Sequence, residues 1–130
     1  MTRYLHRELL DHVLGVGAYS PPSARYLALF TVAPSSTGGG TECADANYAR
    51  QSIGTFNAAT DADPAAGTNN AAVTFPAMAA SQTIVAVGIF DALTGGNLLF
   101  WVLASFTAGV GVQVQFAAGN LSCQLTYSPS

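Results

Sequence analysis

The sequence predicts an all-β protein: an antiparallel β-sandwich of about seven strands, with a jelly roll as one allowed arrangement, and one N-terminal α-helix. Three observations predict it. Short apolar or alternating runs recur along the chain, divided by clusters of Gly, Pro, Asn, Asp and Ser. No helices lie between those runs, which excludes a parallel α/β architecture. Finally, Ile84–Leu103 carries a single charge, Asp91, and places Asp91, Thr94, Gly95, Gly96 and Asn97 between two apolar runs, the pattern of a β-hairpin with a longer loop. Both runs are apolar at both parities, so each strand needs cover on both faces. A second sheet, the N-terminal helix or another chain must supply it.

Residues 2–14 have helical spacing. Thr2 can cap the start, Leu5, Leu9 and Val13 share a face widened by Leu10 and Leu14, and Gly15 is the natural stop. Arg7 with Asp11, and Glu8 with His12, are i,i+4 pairs. So short a helix is not stable alone in water and must dock its leucine face on the sheet or on a neighbour. Gly15, Gly17, Ser20, Pro21 and Pro22 make a non-helical connector.

Arg25–Val32 is the first expected strand, apolar on both sides. Pro34–Ala46, with Gly38, Gly39 and Gly40, reads as a long loop, and Asn57–Asn70 as a second. Tyr48–Phe56 and Ala71–Phe75 are expected strands around that second loop. Gln82–Phe90 and Leu98–Leu103 form the hairpin. Val110–Phe116 and Leu121–Tyr127 alternate apolar with polar, and Ala118, Gly119 and Asn120 are expected to join them as a short hairpin. No internal repeat or domain boundary is visible, so residues 1–130 are expected to form one domain, with 1–22 the helix and connector and 23–130 the sandwich.

Half of the residues are hydrophobic and 8% are charged, against about 25% charged in an ordinary soluble domain. A free monomer usually stays soluble through charge, so this composition points to life inside an assembly, as a dimer or trimer. The net charge is −3, lysine is absent, and Arg3, Arg7, Arg25 and Arg50 are scattered. No basic stripe exists for nucleic acid. The charged N-terminus does not read as a signal peptide, and no apolar run reaches membrane-spanning length. A soluble product made in the cytosol is expected. Cys43 and Cys123 are expected to be free thiols in that reducing compartment.

The chemistry-bearing residues form no familiar constellation. His6 and His12 stand ~240° apart on a regular helix and cannot share a metal. Asp61 and Asp63, with Asn69 and Asn70 nearby, lack the calcium-loop spacing. Gly38-Gly39-Gly40 precedes Thr41-Glu42 rather than the lysine and helix of a phosphate cradle. Cys123 sits at an inward strand parity, where a thiol is inert. Asp91 fits a turn-initiating role, and Trp101 a core or interface anchor. Glu42, Asp45, Asp61, Asp63 and Asp91 could in principle supply the two carboxylates of a sugar hydrolase, but no motif pairs them. No catalytic, cofactor-binding or metal residues are therefore assigned. The expected interface residues are Leu5, Leu9, Leu10, Val13, Tyr26, Phe100 and Trp101.

Six segments follow one another in order: Leu9–Gly15, Tyr26–Thr31, Asn47–Gln51, Val73–Pro76, Gly88–Phe100 and Phe116–Leu121. Together they resemble a family of small structural proteins of tailed bacteriophages, often called tail-fibre-like. The resemblance implies a virion protein without enzymatic activity, made in the host cytoplasm. A fibre shaft needs length and a repeat, which this chain lacks. The expectation is therefore a capsid cement or decoration protein that clamps major capsid protein subunits. A small tail or tail-tip component engaged in host attachment is the alternative. The partners would be the major capsid protein or other virion proteins.

Overall fold

The unbroken apolar run of β1 (Tyr26–Val32) lies at the centre of the molecule, and four of its seven residues are buried. It pairs antiparallel with β6 (Gln82–Phe90) on one side. On its other side it pairs with two short strands, β2 (Thr41–Glu42) and β3 (Gln51–Ser52). β6 in turn pairs with β7 (Leu98–Ala108), which closes the main five-stranded sheet as its edge. Two small antiparallel sheets complete an open sandwich: β4 (Ala65–Thr68) with β9 (Ser122–Leu125), and β5 (Val73–Thr74) with β8 (Gln115–Phe116). These elements come from a computed structural model, which describes residues 1–125.

β1 and β6 receive cover on both faces, as their pattern demands, whereas β7 is covered at Leu98 and Leu99 but leaves Val102 and Leu103 exposed. On one face Leu27, Leu29, Val87 and Ile89 pack with Val73, Phe75, Met78, Val114 and Leu121 from the flanking segments. On the other, Ala28, Phe30, Ala86 and Leu98 form a second cluster with Phe90 and Trp101 against it. Gly88 belongs to that second face for a steric reason. A Cβ there would stand 2.8 Å from Leu98 Cδ1 and 2.9 Å from Phe30 Cε2, so the absent side chain is what lets the two neighbours meet.

The hairpin turn is built around Asp91, as the sequence indicates. Its carboxylate accepts from the Asn97 N–H (2.7 Å) and from Asn97 Nδ2 (3.0 Å). Gly96 at φ 72° could not carry a Cβ, which would collide with the Asp91 carboxylate and Ala92.

Helix α1 (Arg3–Val13) has the expected limits. Thr2 accepts from the Leu5 N–H at its start. At its end the Gly15 N–H donates to the His12 carbonyl and the Val16 N–H to the Asp11 carbonyl, with Gly15 at φ 73°. That is the left-handed glycine stop.

Elsewhere the structure corrects the sequence-based reading. Nine strands, not about seven, occur among the described residues. The expected loop Pro34–Ala46 contains β2, turned back onto β1, and the loop Asn57–Asn70 contains β4. Of Val110–Phe116 only the two residues of β8 are paired, and of Tyr48–Phe56 the two of β3 and Phe56, which bridges to Asn69. β7 runs on to Ala108, past the expected Leu103. The expected 118–120 hairpin does not form: β8 pairs with β5 and β9 with β4. The reason is Asn69, which is fully buried. Its amide nitrogen donates to the carbonyls of Ala71 (2.8 Å) and Ala117 (3.1 Å), and its oxygen accepts from the Leu121 N–H (2.9 Å). This side chain takes the hydrogen bonds of the turn and sends its two arms to separate sheets. The last residues of the expected strand Leu121–Tyr127 lie outside the described residues.

Candidate functional surface

Glu42, Asp45 and Asp91 are engaged in structural contacts. Glu42 accepts from Arg50 through both carboxylate oxygens (2.8 and 3.3 Å). The Arg50 side chain is 8% exposed. It lies 3.4 Å from the Phe90 ring centroid and donates from Nη1 to the carbonyls of Ala92 (2.8 Å) and Gly95 (2.7 Å). One guanidinium thus ties β2 to the hairpin loop by ion pair, cation–π contact and two carbonyl bonds. The Tyr48 hydroxyl accepts from the Leu29 N–H and donates to Glu42. Burial raises its pKa well above the ordinary tyrosine value, with the Glu42 charge adding to the shift. Asp45 accepts from the N–H groups of Asn47 (2.9 Å), Ala79 (3.0 Å) and Ala80 (2.8 Å). Those bonds, Ala79 foremost and then Asn47, hold its carboxyl below the usual range. Asp91 organises its turn, and Asp61 and Asp63 lie in an exposed loop.

Among the described residues no group of His, Cys, Asp or Glu is placed to hold a metal ion. His6 and His12 are both exposed on α1. Cys43 and Cys123 are free, and burial pushes both thiols up in pKa, which lowers their reactivity. No helix among the described residues is long and apolar enough to cross a membrane.

The outer surface is unusual. Helix α1 turns Leu5, 4% exposed, and parts of Tyr4 and Glu8 toward the body. Thr2 pins its start: the backbone N–H donates to the Leu99 carbonyl (2.9 Å) and the hydroxyl to the Leu98 carbonyl (2.6 Å). The apolar residues Val13, Leu10 and Leu14 cover ~100° of the helix circumference on the other side, with Val13 79% exposed and Leu10 51% exposed. Val16 continues this ridge past the helix end.

The second apolar feature is β7. Phe100 and Trp101 are half-buried on opposite faces of the sheet, while Val102 and Leu103 are 59% and 68% exposed. A groove of about 440 Å³ runs between β7 and the segment Asn120–Gln124, and Leu27, Val87 and Ile89 reach it from the core.

The expected interface residues therefore divide. Leu10 and Val13 face outward; Leu9, Tyr26, Phe100 and Trp101 are half-buried; Leu5 is packed inside its own chain. The sequence-based set lacks Leu14, Val16, Val102 and Leu103. The apolar-at-both-parities pattern of β7 is the signal for the last two, which alternate in face and are both exposed.

Fold and surface together define a class: a small antiparallel β module in which Glu42, Asp45, Arg50 and Asp91 are engaged in its own folding, and which leaves apolar ridges on the outside. The sequence model of the family described as Podophage GP4 fiber I protein gp80 matches residues 1–124. The chain belongs to that family, and so to the structural proteins of phages. The comparison with curated proteins returned no match.

Proposed function

We propose that the chain is a non-enzymatic structural subunit of the tail-fibre apparatus of a podophage virion, held there by apolar contacts with neighbouring virion proteins. Membership of a podophage fibre family over residues 1–124 carries this reading. The surface supports it: the ridge of Leu10, Val13, Leu14 and Val16 is large apolar area that a subunit in an assembly would cover. The engagement of Glu42, Asp45 and Asp91 in structural bonds supports the absence of catalysis, since a sugar hydrolase needs two acids free to act across a cleft.

Capsid cement is the second reading. It is favoured by the absence, within residues 1–130, of a repeat from which to build a shaft. The experiment that separates the two is gold labelling of intact particles, with the copy number per virion counted by quantitative mass spectrometry. Few copies clustered at the tail are expected. A label spread over the head in lattice numbers overturns the fibre reading. Leu10→Glu, Val13→Glu and Leu14→Glu should each lower incorporation into particles while the purified variant stays folded. Point changes are preferable to deleting residues 1–14, because deletion also removes the bonds of Thr2 to β7.

A further inference from the structure

We infer that the cleft between the start of β1 and the segment that follows β3 binds a carboxylated sugar, with Arg25 taking the carboxylate. The cleft has a volume of about 570 Å³ and is lined by Ser23 and Arg25 on one side and by Ser52, Gly54, Thr55 and Phe56 on the other. Small-molecule sites usually hold ~300–1,000 Å³.

Arg25 calls for an anion. Arg7 pairs with Glu8 and Arg50 with Glu42, and Arg3 is exposed. Arg25 alone is half-buried without a hydrogen-bond or ion-pair partner for its side chain among the described residues. None of its nitrogens is sealed from solvent, so the guanidinium keeps its donors open. A carboxylate matches that planar fork through two parallel bonds. No acidic side chain lines the cleft. The chain therefore supplies no carboxylate of its own there to compete with a ligand.

The rest of the lining selects the class of anion. The Ser23 and Ser52 hydroxyls have no partner among the described residues. Thr55 Oγ1 accepts from Asn70 Nδ2 (3.3 Å) and keeps its own proton to donate. Each hydroxyl can both donate and accept, which suits the hydroxyls of a sugar. Phe56 packs against the main core and gives the cleft an apolar surface for the C–H face of a pyranose ring. A phosphate would use the arginine and the hydroxyls but not the ring. A fatty acid would use the arginine and the ring but not the hydroxyls. A carboxylated sugar uses all three.

Both walls are fixed before a ligand arrives. The Ile53 N–H donates to the Arg25 carbonyl (3.0 Å), and Tyr26 pairs with Ser52. The Asn70 N–H donates to the Thr55 carbonyl (3.0 Å), and Phe56 bridges to the buried Asn69. Gly54 has open space where a Cβ would stand, so the wall is low there and the cleft opens to solvent. A site preorganised by strand pairing spends little of its binding energy on ordering itself.

The test uses purified whole chain and does not depend on where the protein lies in the particle. The ¹⁵N-labelled chain is titrated with trigalacturonate, and in parallel with maltotriose, acetate and inorganic phosphate, while amide shifts are followed. Trigalacturonate should shift the amides of Arg25, Ser52, Gly54 and Phe56 in a saturable, millimolar titration and leave those of α1 in place. Maltotriose lacks the carboxylates and acetate lacks the ring, and each should bind at least about tenfold more weakly. Arg25→Gln should weaken trigalacturonate binding by at least about tenfold. Ser52→Glu keeps Arg25 and places a carboxylate at the exposed rim of the cleft; it should do the same with an unchanged circular dichroism spectrum. The inference is overturned by the lack of saturable shifts up to about 50 mM trigalacturonate, a range that covers millimolar dissociation. Binding that survives in either folded variant, or phosphate or maltotriose that binds as tightly as trigalacturonate, overturns it as well.

Discussion

At the residue scale, two polar side chains do work that their sequence context does not announce. Asn69 is the clearer. In the sequence it is one amide in a polar loop beside Asn70. In the structure it is buried and makes three side-chain hydrogen bonds that join two separate sheets. Asn69→Ala would leave the Leu121 N–H and the carbonyls of Ala71 and Ala117 without those partners. A loss of about 1–3 kcal/mol is expected in urea unfolding, the cost of orphaned buried groups. Asp45 supplies a pH dependence whose sign follows from its bonds. Its carboxyl is held below the ordinary aspartate value by the N–H groups of Ala79, then Asn47, with burial opposing and Ala80 adding to the lowering. The ionised form therefore favours the fold. Its contribution is in place above the ordinary aspartate value of ~3.9 and is lost as the pH falls through the lower folded value. Melting temperature should drop from about pH 4 downward, and Asp45→Asn should make that acid limb shallower.

At the element scale, what is legible in the sequence is what local chemistry decides. Helix α1 can be placed because Thr2 and Gly15 mark its ends, and β6 because an apolar run stops at a turn-forming aspartate. β2 and β4 escape notice because Thr41-Glu42 and Ala65-Ala66-Gly67-Thr68 have little strand character. They are strands because β1 and β9 offer them an edge. The outward ridge of α1 is half legible: the leucine face can be drawn from spacing, but not the fact that Leu5 alone is buried. The Arg50 junction depends on a shape that only a guanidinium has. Arg50→Lys keeps the charge and the stem, but one ammonium cannot grip Glu42 through two oxygens and reach two loop carbonyls as well. A loss of about 1–3 kcal/mol is expected for a buried site of this kind. Proteolysis should then cut the 92–96 loop sooner than in the parent chain, because Ala92 and Gly95 lose their tether.

At the scale of the whole molecule, the fold has a strong centre and weaker flanks. β1 and β6 are each hydrogen-bonded on both edges and packed on both faces. Among the described residues β4 and β9 pair as strands only with each other, and both are half-exposed or exposed along their length. Regions of a protein open separately when few buried contacts join them to the rest. Amide hydrogen exchange under native conditions should therefore divide the chain. Leu27–Phe30 and Ile84–Ile89 should exchange slowest, through global unfolding. Ala65–Thr68 and Ser122–Leu125 should exchange faster, through opening of the small sheet alone. Asn69 sets the gap between the two, because it fastens the approach to β9 at Leu121 to the exit from β4. In Asn69→Ala the small sheet should exchange faster still and lose more protection than β1 and β6. Equal loss of protection in all four strands would mean that the flank and the centre unfold as one unit, with Asn69 part of that unit rather than its hinge pin.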